Sequence, residues 1–389
     1  MKINRTLLIL SSMILLASCG NGQASSSTSQ AQSHEQEVTI VDGIGRSVTV
    51  TPSKLKKVVC VGAGALRLYS YIGDMKLLSG VEDIDNPDKT TMWKDVARPY
   101  YMANMDLLKT LPSCGKGGPK FQSPEKEAIL ECDPDVIISE YEDVKVADDL
   151  SKEIGVPVIT MKMGSKGCFD ETLRNTFTTL GKAFGREDHA KTINDYIINI
   201  EKDISDRTKD IADEDKPSVY LAGLGNWGAK GLFDTASQYA PFTVAHINNI
   251  VDGKVAKPGQ QAIEKELFES LGETMDKMIL DASGLANIKT YFAEHQDVFD
   301  NVKAVQDGEV YLQMAYNAYY TNIELALMDA YYDASVVYPE AFKDVDLTAK
   351  YNEITITFNG KELYNEIKAM GSSYGGFQKI DNLKEFLAQ

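Results

Sequence analysis

Tyrosine and asparagine side chains crowd into one short segment near the end of the chain, residues 314–322. Tyrosine offers a rigid aromatic face for stacking and a hydroxyl group for hydrogen bonding. A phenolate is also a hard oxygen donor that suits a trivalent metal. The candidate ligand-binding residues of this segment are Tyr316, Asn317, Tyr319 and Tyr320, of which Tyr316 and Tyr319 are candidate metal ligands. The alternative is a packed loop whose tyrosines serve the structure alone.

A second aromatic segment, residues 99–105, contains Tyr100 and Tyr101. The two segments lie in different halves of the chain. If these halves fold as separate lobes, the two loops would face each other across a cleft. Four basic residues lie in predicted strand-end loops or just past them: Arg67, Arg98, Lys116 and Lys166. Together they would neutralise an anionic ligand, whereas each alone fits an ordinary surface charge. Trp227, beside a glycine turn, is a candidate for a further wall of the cleft.

Motifs for catalysis or for cofactor binding are weak. Gly223, Gly225 and Gly228 have the spacing of a dinucleotide fingerprint after a strand, but no clean helix follows them. We interpret them as a tight turn at a strand end, where an open α/β sheet presents its ligands. We find no arrangement of nucleophile, base and orienting residue, and the cysteines lack metal-site spacing.

Composition narrows the class of protein. The chain has 389 residues, 43% of them hydrophobic and 25% charged, which is typical of a globular protein of about two domains. A formal net charge of −17 argues against a nucleic-acid binder, because phosphate contacts need a basic surface. The acidic residues Glu82, Asp83 and Asp85 have the types needed for acid–base work, but a solvated loop is the favoured interpretation.

Short apolar runs alternate with helical patterns from residue 38 onward, which predicts a mainly parallel sheet covered by helices. Residues 38–50 predict a hairpin, and further strands are predicted at 57–61, 76–81, 135–139, 156–160, 218–222, 275–282 and 309–313. Helices are predicted at 66–72, 124–130, 170–184 and 322–337, the last of them amphipathic, and residues 86–122 are predicted to be a loop.

A long helical pattern separates two such βα blocks. From Glu187 its apolar positions keep helical spacing for more than twenty residues, and the opposite positions are mostly charged. We therefore predict an N-terminal α/β lobe at 38–185, a connecting helix at 186–215 and a C-terminal α/β lobe at 216–389. The alternative is a core helix within one domain.

The first residues carry an export pattern. Lys2 and Arg5 precede an apolar stretch that is short for a transmembrane helix, which needs about 20 residues, and that fits a signal peptide. The sequence Leu16–Cys19 resembles the bacterial lipobox, in which the cysteine is acylated. We predict a lipoprotein signal peptide at 1–18, lipidation of Cys19, and a flexible tether at 19–37. The alternative is an ordinary secreted protein with a chance cysteine.

The order of several segments resembles one family, the substrate-binding lipoproteins of ABC importers for iron complexes, which also has corrinoid- and haem-binding members. The segments that carry the resemblance are 41–50, 57–61, 123–138, 155–159, the connecting helix and 302–311. The resemblance implies a class III periplasmic-binding-protein-like fold, with two α/β lobes bridged by one long helix and the ligand in the cleft between them.

The same resemblance implies a protein that is not an enzyme and that has no tightly bound cofactor. Its ligand would be a metal complex, an iron(III) chelate of the siderophore type, delivered to an ABC permease dimer with a cytoplasmic ATPase. A lipid anchor would hold it on the extracytoplasmic face of the cell membrane, and nucleic acid would not be a partner. The alternatives are a corrinoid- or haem-binding protein, with His246 or His295 as a possible axial ligand, and an exported lipid-anchored enzyme.

One position departs from the family pattern. Many members carry a glutamate early in the first helix that docks on an arginine of the permease, whereas this chain has Arg67 at about that position. The departure puts the docking contact of the first lobe in doubt. It also suggests that Arg67 faces the ligand.

Overall fold

A computed structural model describes residues 36–89, 92, 94–120, 123–225 and 230–389. The predicted signal peptide, Cys19, nearly all of the predicted tether and Trp227 lie outside the described residues. None of the helices in the described ranges has the length and hydrophobicity that a membrane span requires.

The described residues alternate between short strands and helices. The strands are β1 (Val38–Val41), β2 (Ser47–Val50), β3 (Val58–Val61), β4 (Val136–Ser139), β5 (Val158–Thr160), β6 (Ser218–Ala222), β7 (Asp234–Ser237), β8 (Asn248–Asn249), β9 (Gly259–Ala262), β10 (Lys277–Asp281), β11 (Val310–Gln313) and β12 (Gln378–Ile380). The helices are α1 (Ala65–Ile72), α2 (Pro99–Leu108), α3 (Lys126–Glu131), α4 (Val144–Ile154), α5 (Glu171–Phe184), α6 (Glu187–Thr208), α7 (Ala240–Val244), α8 (Lys265–Gly272), α9 (Leu285–Glu294), α10 (Lys303–Gln306), α11 (Ile323–Val337), α12 (Leu347–Asn359), α13 (Tyr364–Ala369) and α14 (Leu383–Ala388).

Two main sheets form the centres of two lobes. In the N-terminal lobe, β3, β4 and β5 pair in parallel in that order. In the C-terminal lobe, five strands lie in the order β12-β11-β10-β6-β8, and only the edge strand β12 runs antiparallel to its neighbour. Strands β3 and β4 are buried along their whole length, as expected for parallel strands with both faces covered. The predicted hairpin is confirmed as the antiparallel pair β1–β2.

The long helix α6 has a buried isoleucine stripe. Ala190, Ile193, Ile197, Ile200 and Ile204 are spaced three or four residues apart, and all of them are buried. Helix α6 packs against α1 and α5 of the N-terminal lobe and against α7 and α11 of the C-terminal lobe. One apolar stripe therefore contacts both lobes, and a single hydrophobic core cluster contains residues of both.

Three predictions about secondary structure are wrong. Residues 76–81 are not a strand: a 3-10 turn covers Met75–Leu77, and isolated bridges follow at Leu78 and Val81. Segment 86–122 contains α2, which begins with Pro99 at its first position, a favourable site for proline. Helix α11 is not amphipathic, because 13 of its 15 residues are buried, including three carboxylic acids.

Candidate ligand site between the lobes

The tyrosine loop, residues 314–322, follows the carboxyl end of β11 and has an unusual backbone. Tyr319 and Tyr320 both adopt left-handed conformations, with φ of 50° and 75°. A bulky side chain in this region costs roughly 1–3 kcal/mol, so surrounding contacts must hold the loop. The Asn317 side chain donates to the Gly225 carbonyl at 2.7 Å, and the Asn322 side chain donates to the Tyr316 carbonyl at 2.9 Å.

The loop approaches the N-terminal lobe closely at the start of α1. Gly64 precedes this helix with φ of 86°, and a Cβ atom built there would lie 3.2 Å from the Cβ of Tyr320. Only glycine accepts both that backbone conformation and that approach without strain. The half-exposed ring of Tyr320 therefore lies where the two lobes meet.

Arg67 holds the loop in place. Its side chain is completely buried on α1, and its Nε donates to Asn322 Oδ1 at 3.1 Å. Its terminal nitrogens donate to the carbonyl oxygens of Tyr319 and Ala318 at 2.8 and 2.6 Å. The guanidinium also lies 4.7 Å from the centre of the Tyr100 ring. The prediction that Arg67 faces the ligand is therefore corrected, since these donors bind the other lobe, and a buried residue cannot provide a docking surface.

Tyr319 makes a second connection between the lobes. Its hydroxyl donates to Glu82 Oε2 at 2.8 Å and accepts from the Gly118 amide at 3.0 Å. The other oxygen of Glu82 accepts from the Gly62 amide at 3.1 Å, directly after β3. Burial raises the pKa of Glu82 to about 7, although these hydrogen bonds oppose the shift. The prediction of a solvated acidic loop is wrong for Glu82 and for Asp85, because both are buried.

The second aromatic segment lies on α2 rather than in a loop. The Tyr100 hydroxyl donates to Asp85 Oδ1 at 2.7 Å, and Arg98 pairs with the same oxygen at 2.5 Å. The Arg98 guanidinium stacks 4.2 Å from the centre of the Tyr101 ring. These four side chains are almost completely buried, so they form a polar core of the N-terminal lobe rather than a wall that solvent reaches.

The two remaining predicted cations lie at the surface. The Lys116 and Lys166 side chains are exposed, and their backbone amides donate to Glu125 and Asp170 respectively. Among the four predicted cations, the structure therefore buries the two arginines against protein partners and leaves the two lysines exposed.

The two candidate phenolate ligands have different surroundings. Burial raises the pKa of Tyr319, and the nearby Glu82 charge raises it further. Burial and the charges of Asp281 and Asp329 raise the pKa of Tyr316. Both hydroxyls are therefore protonated at neutral pH in this conformation. Across the described ranges, no three His, Cys, Asp or Glu side chains are arranged to hold a metal ion.

A further set of polar residues, which sequence reasoning missed, lies at the carboxyl ends of β10 and β11. Asp281 ends β10 and Gln313 ends β11, and Gln313 Nε2 donates to Asp281 Oδ2 at 2.9 Å and to the Tyr239 hydroxyl at 3.2 Å. Asp329 and Asp333 reach the same region from α11. Burial raises the pKa of Asp281 to about 6 and raises those of Asp329 and Asp333 well above the ordinary value. We call Asp281, Gln313, Asp329 and Asp333 the acceptor cluster.

Two motifs that suggest other functions have structural roles. Gly223 adopts φ of 78° after β6, and a Cβ atom there would lie 3.2 Å from the Gly284 Cα, so the turn serves close backbone packing. Residues 371–375 have the Gly-x-Ser-x-Gly spacing of a hydrolase nucleophile, which sequence reasoning overlooked. Ser373 is buried in a 3-10 turn after α13, not at the end of a strand as that motif requires.

The two candidate haem ligands have protein partners. His246 Nε2 lies 3.0 Å from the Ser205 hydroxyl, and the His295 ring packs 4.4 Å from the centre of the Tyr291 ring. Two cavities of about 490 and 210 Å³ occur elsewhere, along α12 and between the β1–β2 turn and α5. None of the predicted ligand residues lines either cavity.

Comparisons with known proteins agree with this architecture. The family model described as periplasmic binding protein matches residues 69–315. The petrobactin-binding protein YclQ of Bacillus subtilis is 25% identical over 314 residues, which cover 78% of this chain and 88% of YclQ.

Solved structures establish the fold. The molybdate periplasmic binding protein MolA of an ABC transporter of Haemophilus influenzae superposes with a TM-score of 0.61 at 17% identity, covering 84% of this chain and 98% of MolA. The TroA-like periplasmic binding protein FepB of Veillonella parvula superposes with a TM-score of 0.59 at 23% identity, covering 82% of this chain and 96% of FepB. The expected class III periplasmic-binding-protein fold is thereby confirmed.

Proposed function

The chain belongs to the periplasmic binding protein family, a family of substrate-binding proteins, and we propose that its substrate is an iron(III) chelate of the siderophore type. The protein captures the chelate between its lobes and delivers it to the permease of an ABC importer. The petrobactin-binding relative supports this substrate class.

The observation that carries the proposal is the strained tyrosine loop at the junction of the lobes. The loop follows a strand of one parallel sheet and meets Gly64, Arg67 and Glu82 of the lobe built on the other. Ligands of open α/β sheets bind beyond the carboxyl ends of strands. Backbone strain of this kind concentrates at functional sites. In the proposed function Tyr316, Asn317, Tyr319 and Tyr320 contact the chelate when the lobes separate, while Arg67 positions the loop.

The organisation that we propose retains the predicted boundaries. The lobes span residues 38–185 and 216–389, and the helical segment 186–215 connects them. The packing of α6 against both lobes supports a rigid connection with modest closure. Contacts of α12 with α1 and α2 restrain the lobes further.

Membrane attachment is part of the proposal. Residues 1–18 would be removed, Cys19 would carry the lipid, and residues 19–37 would tether the lobes outside the membrane beside the permease dimer. Membrane fractionation of the wild-type protein and of Cys19→Ala tests the anchor: release of the variant into the soluble extracytoplasmic fraction is expected.

Ligand binding tests the substrate class. Thermal unfolding of the purified protein would be followed with ferric triscatecholate, trihydroxamate and hydroxycarboxylate chelates, and with haem, cobalamin and oligosaccharides. A ligand at about 100 times its Kd adds roughly 2.7 kcal/mol to the unfolding free energy, which gives a clear rise in Tm. A rise with a ferric chelate alone supports the proposal. A rise with haem or cobalamin alone, or with an oligosaccharide alone, contradicts it.

A pair of variants tests the place of binding. Tyr320→Ala removes a half-exposed ring at the junction of the lobes, so we expect a loss of chelate affinity of about tenfold or more with little change in Tm. Tyr291→Ala makes the same substitution on α9 in the C-terminal lobe and should leave affinity unchanged. Equal effects of the two substitutions on affinity would place the ligand elsewhere.

A further inference from the structure

The acceptor cluster lies where a ligand held between the lobes would meet the C-terminal sheet. Asp281 and Gln313 end neighbouring parallel strands. Asp329 and Asp333 approach from α11, the helix that directly follows the tyrosine loop. All four side chains are at most 1% exposed. The turn Gly167–Phe169 of the N-terminal lobe packs on α11 and α7. The cluster is therefore covered by an element that belongs to the opposite lobe.

The unpartnered atoms of the cluster are all side-chain oxygens, which act as hydrogen-bond acceptors once the carboxyls are ionised. Asp329 Oδ2, both carboxyl oxygens of Asp333 and Gln313 Oε1 are buried and have no hydrogen-bond partner among the described residues. Gln313 is an independent member of this set, because it is uncharged and uses its amide group to donate to Asp281 and Tyr239. A buried polar group without a partner costs about 1–3 kcal/mol. Four acceptors in one place therefore call for a group that donates several hydrogen bonds.

The electrostatic surroundings of the cluster also favour a cation. No basic side chain contributes to the electrostatic surroundings of Asp281, Asp329 or Asp333 within the described ranges, and the charge of Asp281 acts on both Asp329 and Asp333. The nearby polar groups of Tyr239, Tyr316 and Cys168 carry no positive charge. An anionic ligand group would be repelled here. A directly bound metal is also disfavoured, since the described His, Cys, Asp and Glu side chains form no metal-binding group.

We propose that the acceptor cluster binds a protonated amino group of the transported ligand when the lobes open. An ammonium group donates three hydrogen bonds and carries the charge that three carboxyls can neutralise. This inference rests on the proposed function and makes it more specific: the chelate carries a free amine on the side that faces the C-terminal sheet.

A matched pair of ligands tests the inference. Ferrioxamine B is a ferric trihydroxamate with one terminal ammonium group, and its N-acetyl derivative differs only in the loss of that charge and of those donors. Calorimetry of the purified protein would compare the two with a ferric triscatecholate, which is anionic, and with spermidine, which is an amine without iron. We expect ferrioxamine B to bind at least about tenfold more tightly than the acetylated form.

Substitutions then locate the amine. The double substitution Asp329→Asn and Asp333→Asn preserves shape and removes the negative charge, so it should reduce the affinity ratio of the two ferrioxamines to within about threefold. Asp106→Asn, at an almost fully exposed carboxylate on α2, is the matched control and should keep the wild-type ratio. Circular dichroism confirms folding, and the two single variants replace the double variant if it is unfolded.

Each remaining outcome is decisive. Equal affinity for the two ferrioxamines, a preference for the triscatecholate, or an unchanged ratio in the Asp→Asn variants overturns the amine site while leaving a ferric chelate as substrate. Binding of spermidine without any ferric chelate supports the amine site and overturns the proposed substrate. Absence of binding by all four probes overturns the amine site, and it overturns the proposed substrate as well if the ferric hydroxycarboxylate chelate also fails to bind.

Discussion

Replacement of Arg67 by alanine is the sharpest test of how the lobes are held together. The substitution removes the donors to Asn322 Oδ1 and to the carbonyl oxygens of Tyr319 and Ala318. Each buried acceptor that loses its donor costs roughly 1–3 kcal/mol. Three such losses would total about 3–9 kcal/mol if they added fully. Because losses within one hydrogen-bond network are not additive, we expect a fall in the unfolding free energy near the lower end, about 3–5 kcal/mol. Since domains are stable by about 5–15 kcal/mol, the variant should remain folded but clearly weakened.

Urea unfolding followed by circular dichroism measures this loss. Lys145→Ala is the control, because it removes an exposed cation whose i,i+4 pair with Asp149 is screened by solvent and adds little to stability. Arg67→Lys should fall between wild type and Arg67→Ala, since lysine keeps the charge but cannot supply the planar fork that reaches several acceptors. A double-mutant cycle with Asn322→Ala should give a coupling energy of about 1 kcal/mol for their single hydrogen bond.

Two results would refute this reasoning. A loss of less than about 1 kcal/mol in Arg67→Ala would mean that the three hydrogen bonds do not restrain the tyrosine loop. Unchanged stability with a large loss of ferric-chelate affinity would show that Arg67 contacts the ligand, as the sequence-based hypothesis holds. The structure predicts a loss of stability first, with any loss of affinity following from the released loop.

Other perturbations test the connecting helix and the buried acid. Ile197→Ala on α6 should cost about 2–5 kcal/mol in urea unfolding because Ile197 is completely buried, whereas Ile198→Ala, at a side chain that is 44% exposed, should cost less than about 1 kcal/mol. Burial raises the pKa of Glu82 to about 7, above its unfolded value of 4.5, so its contribution to stability is complete below pH 4.5 and is lost as the pH rises through 7. Glu82→Gln removes this loss, and its unfolding free energy relative to wild type should rise by up to about 3 kcal/mol between pH 5 and pH 8; an equal difference at both pH values would contradict the buried-acid interpretation.

The spacing of apolar residues in the sequence predicted those strands and helices whose buried residues recur at that same spacing in the structure. The buried runs at β3, β4 and β6, and the isoleucine stripe of α6, follow directly from apolar spacing. Helix α2 was missed because five of its ten residues are buried and are mixed in sequence with partly buried ones. The helix therefore shows no clear polar face. The short 3-10 turn at Met75–Leu77 resembles a strand in sequence because Lys76 lies between two apolar residues and the segment continues into isolated bridges at Leu78 and Val81.

Local sequence patterns could not predict which groups the site residues contact. Arg67 stood out as a departure from the family, but its acceptors are mostly backbone carbonyls about 250 positions away, and a carbonyl leaves no mark in the sequence. The acceptor cluster did leave a signal. Asp329 and Asp333 are four residues apart in a helix that is otherwise almost entirely apolar, and two carboxyls on one face of a buried helix need a partner.

The placement of charge reverses the ligand chemistry that the four predicted strand-end cations first indicate. The cations expected to attract an anion include Arg67 and Arg98, but both are buried and bind backbone carbonyls or Asp85. The carboxyls near the strand ends of the C-terminal sheet have no such compensation from the part of the chain that the structure describes. An anionic group entering the acceptor cluster would lose its hydration without gaining a cation from the described residues, whereas an amine would satisfy acceptors that already carry the cost of burial. Selectivity between chelates would then depend on the charge at the periphery of the chelate rather than on the iron that all of them share.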